Sequence, residues 1–355
     1  MNDYFCVLPF FGYEYSTTSE THCCLLPKNY NIESIKNDIL AGNKSPFCKA
    51  CWNLEEVGLL SDRQLKNSTL DFYWDRDIRF IEEDVRQGKY KTIMIKNVTS
   101  NTCNSTCVTC NSGLSSAWAP LEKKMGVPSQ QSVSMTKDRI NQNIDFKELI
   151  MLNLVGGEPL YEKLNFYTLE KLIENNNNKC FVAITTNGSV DINNANKELL
   201  MKFKNINFNV SIDGVGPVFE YLRYPLQWNK LLENLEFFRT ITDNVNVSYT
   251  TSNLNVLYHY DTIAWFEKEN LRYHHNPVID PQHFRPGALP IYAKKKILDK
   301  FKNNKYLELS LSNHTDQDDK DFSQFLKIIK KQDQAKKIDM IDYLPEFCEL
   351  IGFTL

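Results

Sequence analysis

The sequence predicts an α/β fold built on a parallel sheet, curved or closed, and three observations carry that reading. Apolar, β-rich runs recur from about residue 90 onward, segments of helical periodicity separate them, and the least ordinary motifs fall at the C-terminal ends of the runs. In a parallel sheet those ends carry the functional loops.

The strands are predicted, in order, at 92–96, 149–155, 181–185, 208–212, 245–249 and 273–278, each short and rich in Ile, Val, Leu, Phe or Tyr. Helical periodicity marks 167–174, 197–203, 228–240 and 258–269. Strands that alternate with helices need crossover connections, which make the strands parallel. The chain then divides into a cysteine-rich module over 1–60, a helical connector over 61–90, the β/α domain over 91–290 and a helical tail over 291–355. Mixed charge in the connector reads as a solvated face, and the lysines of the tail read as exposed.

Composition narrows the function. The 355 residues suffice for one large β/α domain and a small appendage, and a net charge of -3 gives nucleic acid no support as a default partner. The N-terminal Met1-Asn-Asp-Tyr-Phe-Cys-Val-Leu-Pro lacks a basic segment and a long apolar run, and nowhere is the sequence apolar for long enough to span a bilayer. A cytoplasmic protein is expected. Its ten cysteines then read as metal ligands and buried thiols, not disulfides, with the isolated Cys180 and Cys348 as structural thiols. The glycosylation-type triplet at Asn104 reads as a chance match.

After the first strand stands Cys103-Asn-Ser-Thr-Cys107-Val-Thr-Cys110. Three thiolates at this C-x3-C-x2-C spacing can hold three corners of a cubane iron–sulfur cluster and leave the fourth iron free to bind a substrate or cofactor. A structural zinc with one distant ligand is the alternative. Gly156-Gly157-Glu158-Pro159 follows the second strand; its glycines allow close backbone approach, and Glu158 with the local carbonyls can accept from an ammonium group. Thr185-Thr186-Asn187-Gly188-Ser189 follows the third strand and Ser211-Ile-Asp213-Gly214-Val-Gly216 the fourth, where Ser211 and Asp213 fall on one side and suit a sugar diol. Taken singly, each glycine motif is ordinary turn punctuation. Successive strand ends of one sheet make their coincidence informative.

In motif type, order and spacing, residues 92–280 resemble the radical S-adenosylmethionine (SAM) enzymes. The resemblance implies a partial (βα)6 barrel in which Cys103, Cys107 and Cys110 bind a [4Fe–4S] cluster whose open iron chelates the amino and carboxylate groups of SAM. It implies that Gly156, Gly157 and Glu158 receive the methionine ammonium, that Ser211 and Asp213 face the ribose, and that Asn187 makes a further cofactor contact. The implied activity is that of an oxidoreductase: an electron from a low-potential donor cleaves SAM, and the 5'-deoxyadenosyl radical takes a hydrogen from the substrate. The family usually has an aromatic residue before the third cysteine, where this chain has Thr109.

The first 60 residues hold Cys6, the adjacent Cys23 and Cys24, and the pair Cys48-Lys-Ala-Cys51, enough for a four-thiolate site of zinc or iron–sulfur type. Their order resembles the SPASM or twitch module of many radical SAM enzymes, although that module normally follows the barrel. The resemblance implies a second [4Fe–4S] cluster on Cys6, Cys23, Cys48 and Cys51, with Cys24 then packing or staying free.

Substrate contacts are expected from Arg223, in the segment Glu220-Tyr221-Leu-Arg223-Tyr224-Pro225, as a carboxylate clamp; from Tyr249 on the fifth strand; and from His274 or His275 on the sixth, one facing in and one out, with His274 taken as the inward residue. Arg285 is a comparable candidate. The competing roles are a surface ion pair for the arginines and a hydrogen-bonded core position for the histidine. Proteins with such modules often act on ribosomal peptides, so oxidative modification of a peptide or protein is the expected function. A small sugar or nucleoside substrate, and a non-catalytic iron–sulfur or zinc-binding interaction protein, are the alternatives.

Overall fold

The computed structural model describes residues 3–17, 19–23, 25–56, 58, 60–74, 77–302 and 304–353. Two compact units emerge: Met1–Ser100 with Val133–Ile184 and Ile192–Asn207, and Asn101–Ser132 with Thr185–Asp191 and Phe208–Leu355. Both are α/β, and the strands pair in parallel with a single antiparallel exception among the described residues.

The first unit holds β1 (Gly12–Ser16), β2 (Glu20–Thr21), β3 (Met94–Val98), β4 (Met151–Val155) and the start of β5 (Phe181–Thr186), in the spatial order β2-β1-β3-β4-β5. β3, β4 and β5 stand at the first three predicted strands. β1 was not expected from the sequence: it pairs in parallel with β3, from Gly12 opposite Met94 to Ser16 opposite Val98, and antiparallel with β2. Residues 1–60 thus contribute a strand to the sheet as well as cysteines. The burial of β5 on both faces, broken only at Thr185, is that of a strand inside a parallel sheet.

Helices cover much of the N-terminal part. Asp62–Tyr73 starts on a capping box in which Ser61 and Gln64 satisfy each other's backbone donors, and Ile32–Leu40 starts on the side chain of Asn31. Phe5, Val7, Phe11, Ile35, Ile39, Leu70 and Ile81 join Met94, Met151 and Phe181 in one apolar core.

In the second unit Phe208–Ser211 of β6 (Asn205–Ser211), with β7 (Val245–Thr251) and β8 (Arg272–Pro277), form a parallel run, Phe208 opposite Val245 and Val247 opposite Tyr273. Helices Pro217–Leu222, Trp228–Arg239 and His259–Lys268 lie between these strands in sequence. Among its described residues the tail forms five helices, the longest being Asp316–Lys336, and its Phe325, Ile329, Leu344 and Phe347 share a core with Val108, Tyr221 and Leu254. Two tail lysines depart from the expected exposure. Lys294 and Lys336 are buried, Lys294 because its ammonium meets Asp318 at 3.2 Å and the Asn313 carbonyl at 2.8 Å.

Candidate functional site

The cysteine loop follows β3 and is fastened along its backbone. Thr106 N–H and Oγ1 both donate to the Tyr224 carbonyl, at 2.6 and 3.0 Å, and Val108 N–H donates to Leu222 O at 2.8 Å. Trp118 Nε1 donates to Cys107 O at 3.0 Å, Gln332 Nε2 to Val108 O at 3.1 Å, and Ser115 Oγ to Ser105 O at 2.6 Å. With so many of its backbone groups engaged, this loop keeps one shape.

The sulfurs of Cys103 and Cys107 lie 3.3 and 3.4 Å from the same hydroxyl, Ser105 Oγ. Burial raises the Cys107 thiol above its ordinary range and pushes Cys110 up to about 12, with repulsion among the three cysteines adding to both. Two buried cations oppose that cost. Arg223 reaches Cys107 Sγ at 3.9 Å, and Lys336, brought down to about 8 by burial, is favoured in its charged form by Cys107, Asp333 and Cys110. Lys336 Nζ also sits 4.6 Å over the Trp118 ring. Metal ligation requires the thiolate form, and the facing cations favour thiolates here over neutral thiols, so the donor set fits a metal cluster.

Asn187 donates to Asn104 Oδ1 at 2.8 Å and stands 4.0 Å from Cys103 Sγ. Its own Oδ1 accepts from Ser189 N–H and Oγ, and Asn104 donates to Ser189 Oγ. The loop after β5 is thus tied to the cysteine loop.

Asp213 stands just beyond β6, where strand alternation no longer fixes its direction. Its Oδ2 meets Arg223 at 2.8 Å and its Oδ1 accepts from Thr250 N–H at 2.9 Å, while Asn255 Nδ2 holds its carbonyl at 2.6 Å. Arg223 is therefore paired inside the unit and does not overhang as a free clamp. Beside Asp213 lies a cavity of about 210 Å³ lined by Thr109, Leu222, Thr250, Ser252 and Asn255. Thr109 lines the wall that a larger residue at that position would fill.

In the first unit, Gly156 adopts φ +132°, and a Cβ there would come within 2.6 Å of Ser100 O. Gly157 N–H donates to the same carbonyl at 2.9 Å, so the glycine pair is drawn onto the end of β3. Glu158 is buried, and its Oε1 accepts from Leu160 N–H at 3.0 Å.

Cys6, Cys23, Cys48 and Cys51 line one cavity of about 460 Å³, walled otherwise by apolar residues such as Leu25, Leu26 and Ile39 and by Arg63. Burial raises the Cys6 thiol and pushes Cys48 up to about 11, with Arg63 opposing. Arg63 is oriented by Glu55 at 2.7 Å and by donation to Phe5 O at 2.8 Å. Cys24 lies outside the described residues. Among the described residues, no three His, Cys, Asp or Glu side chains close on a single-ion position.

The substrate candidates fare differently. Tyr249 is fully buried, with its hydroxyl 3.2 Å from His259 Nδ1 and its ring stacked on His275 at 5.1 Å. His274 is exposed, and the histidine turned toward Tyr249 is its neighbour His275. Period-two alternation requires one of the pair to face inward but does not say which. Arg285 pairs with Asp318 and Asp321 and anchors the tail. Asn104, Ser105, Ser189, Trp118, Asn255 and Lys336 were given no role by the sequence reading, and only Asn104 and Ser105, within the cysteine motif, and Ser189, at the end of the motif after the third strand, carried a local signal.

No family model and no curated protein matches the sequence. Solved structures with a similar course of chain include anSMEcpe with bound AdoMet and Cp18Cys peptide, at 17% identity and TM-score 0.44 over 62% of this chain and 61% of that one. Streptococcus suis SuiB bound to precursor peptide SuiA matches at 14% identity and TM-score 0.40 over 56% of this chain and 42% of that one. SuiB in a further structure matches at 11% identity and TM-score 0.41 over 81% and 66%. The chain spans about six-tenths of the anSMEcpe length. Among the described residues no helix is long and apolar enough to cross a membrane.

Proposed function

We propose that the chain is a radical SAM enzyme that oxidatively modifies a peptide or protein. The observation that carries the reading is the cysteine loop: three thiols in a hydrogen-bonded frame, two of them sharing Ser105 Oγ, with Arg223 and Lys336 as buried counter-charges. A [4Fe–4S] cluster bound there supplies, with SAM and a low-potential donor, the 5'-deoxyadenosyl radical that takes a hydrogen from the substrate. Cys103, Cys107 and Cys110 hold it, and Arg223, fixed by Asp213, offsets thiolate charge at Cys107.

Gly156, Gly157 and Glu158 receive the SAM ammonium, and the backbone approach at Ser100 supports that role. Ser211 and Asp213 serve the ribose, with the polar cavity at Thr109, Thr250 and Ser252 beside Asp213 for the nucleoside. Asn187 contributes through its contact beside Cys103. Cys6, Cys23, Cys48 and Cys51 hold a second [4Fe–4S] cluster. That all four line one cavity supports a shared site. The partial (βα)6 barrel, the module over 1–60 and a cytoplasmic setting belong to the same reading.

The test is anaerobic reconstitution, an iron count, and addition of SAM with reductant, followed by assay for 5'-deoxyadenosine. Production by the wild type, and none by the variant with Cys103, Cys107 and Cys110 replaced by Ala, is the expected result. Persistent cleavage in that variant overturns the assignment.

A further inference from the structure

The last turns of the helix Asp316–Lys336 pack against the cysteine loop. Gln332 and Lys336, one helical turn apart and so on one face, are both buried, and Gln332 Nε2 donates to Val108 O at 3.1 Å. The ammonium of Lys336 sits 4.6 Å over the Trp118 ring and 5.9 Å from the centre of the Tyr224 ring. Both rings belong to residues that fasten the loop, Trp118 by donating to Cys107 O and Tyr224 by accepting from Thr106 N–H.

This ammonium has no anion in contact. Among the described residues Lys336 Nζ makes no hydrogen bond and no ion pair. Asp333, in the preceding turn, attracts it only from a distance, and its two oxygens accept from Tyr221 Oη and Met340 N–H, each at 3.0 Å. Aromatic faces offset part of the cost of burying a cation but present no full acceptor. Arg223, the other cation of the site, differs in having Asp213 at 2.8 Å. Arg223 thus enters as half of a neutral pair, and Lys336 as a charge without a contact partner.

The surroundings say what that charge is for. Burial opposes it, and the first group to favour it is Cys107. A lysine that only filled space here would be better replaced by methionine, which costs nothing to desolvate. A cluster on three thiolates becomes more negative when it takes an electron, and a fixed cation nearby stabilises the reduced form.

We infer that Lys336 is a positioning residue for electron entry: its ammonium, caged by Trp118 and Tyr224, raises the reduction potential of the cluster on Cys103, Cys107 and Cys110. The inference rests on the radical SAM reading above, whose low-potential donor gives up the single electron that the cluster gains; no bond and no proton moves in this step. The helical tail, which lies beyond the β/α domain in sequence, thereby completes the cluster site.

The test loads the full chain with iron anaerobically and follows, by redox titration with electron paramagnetic resonance, the signal that changes when SAM is added. Lys336→Met should make reduction by a given donor about tenfold less favourable, which is about 59 mV for one electron. Lys336→Arg, which keeps the charge, should stay within about twofold of the wild type, as should Lys337→Met, which removes an exposed charge from the next position. An unshifted potential in iron-loaded Lys336→Met, or a tenfold shift in either of the other two variants, overturns the inference. If Lys336→Met takes up no iron, Lys336→Arg decides: a cluster at the wild-type potential supports the role of the charge, and loss of iron there too overturns it. A wild type that binds iron and cleaves SAM while Lys336→Met shows no shift loses this inference alone; a wild type that takes up no iron loses the proposed function and this inference with it.

Discussion

Arg223 lies 2.8 Å from Asp213 and directs a second guanidinium nitrogen at the sulfur of Cys107, 3.9 Å away. Both charged side chains are buried, so removing one strands the other. Arg223→Met should lower unfolding stability by ~3 kcal/mol, the cost of an unpaired buried charge, while Arg223→Met with Asp213→Leu should recover part of the loss. Urea unfolding of the three proteins checks this. In the iron-loaded chain the same Arg223→Met should make the cluster harder to reduce, since a cation beside a thiolate stabilises the added electron, and redox titration followed by electron paramagnetic resonance reads that shift.

The glycine pair at β4 makes a steric prediction. At φ +132°, with Ser100 O 2.6 Å from where a Cβ would be, Gly156→Ala forces the backbone to move. It should cost ~1–3 kcal/mol of stability and weaken SAM binding. Gly126, whose added Cβ would meet nothing within 4 Å, is the control: Gly126→Ala should leave SAM binding intact.

Burial holds His259 down to about 4 and His275 down to about 3, so both are neutral in the folded chain at mild acidity. Unfolded, they bind protons below the ordinary histidine value of about 6.5. The unfolded state then carries more protons between those limits, so stability should fall as pH drops from about 6.5 toward 4. Asp333, raised to about 6 mainly by burial, acts in the opposite direction over part of that window, but it is one group against two. His259→Phe, which keeps a ring against Tyr249, should flatten the acid limb of thermal unfolding measured against pH.

The N-terminal cysteines separate by metal count. If Cys6, Cys23, Cys48 and Cys51 share one cluster in their common cavity, replacing Cys48 and Cys51 with Ala should take reconstituted iron from about eight to about four per chain. An unchanged count after that double replacement would show that these thiols hold no iron.

Local chemistry made part of this molecule legible. Five of the six strands could be read because each is a compact apolar run with turn residues after it, β8 with Arg-Tyr-His-His-Asn-Pro being the polar exception, and the cysteine triplet because its spacing is short. β1 was hidden by the cysteines around it, although Tyr13-Glu14-Tyr15 has the alternation of a half-buried strand. Trp118, Asn187 and Lys336 surround Cys103 and Cys107 from 11 to more than 200 residues away, a relation that no local pattern encodes. Arg223 was found by its place in the chain, but its pairing with Asp213 was not. The sequence shows which groups can pair, and only the folded arrangement shows which do.

The parallel pairing of β1 with β3 also orders events in time. Gly12 cannot meet Met94 until the ribosome has made the intervening chain, and closing a loop of that length is slow compared with forming the helices between. During synthesis Cys6 and Cys23, which flank β1, wait beside a strand that has no parallel neighbour. If they hold the proposed second cluster, its assembly follows the emergence of residue 98, and a chain stalled earlier would present these thiols to oxidants as an open segment.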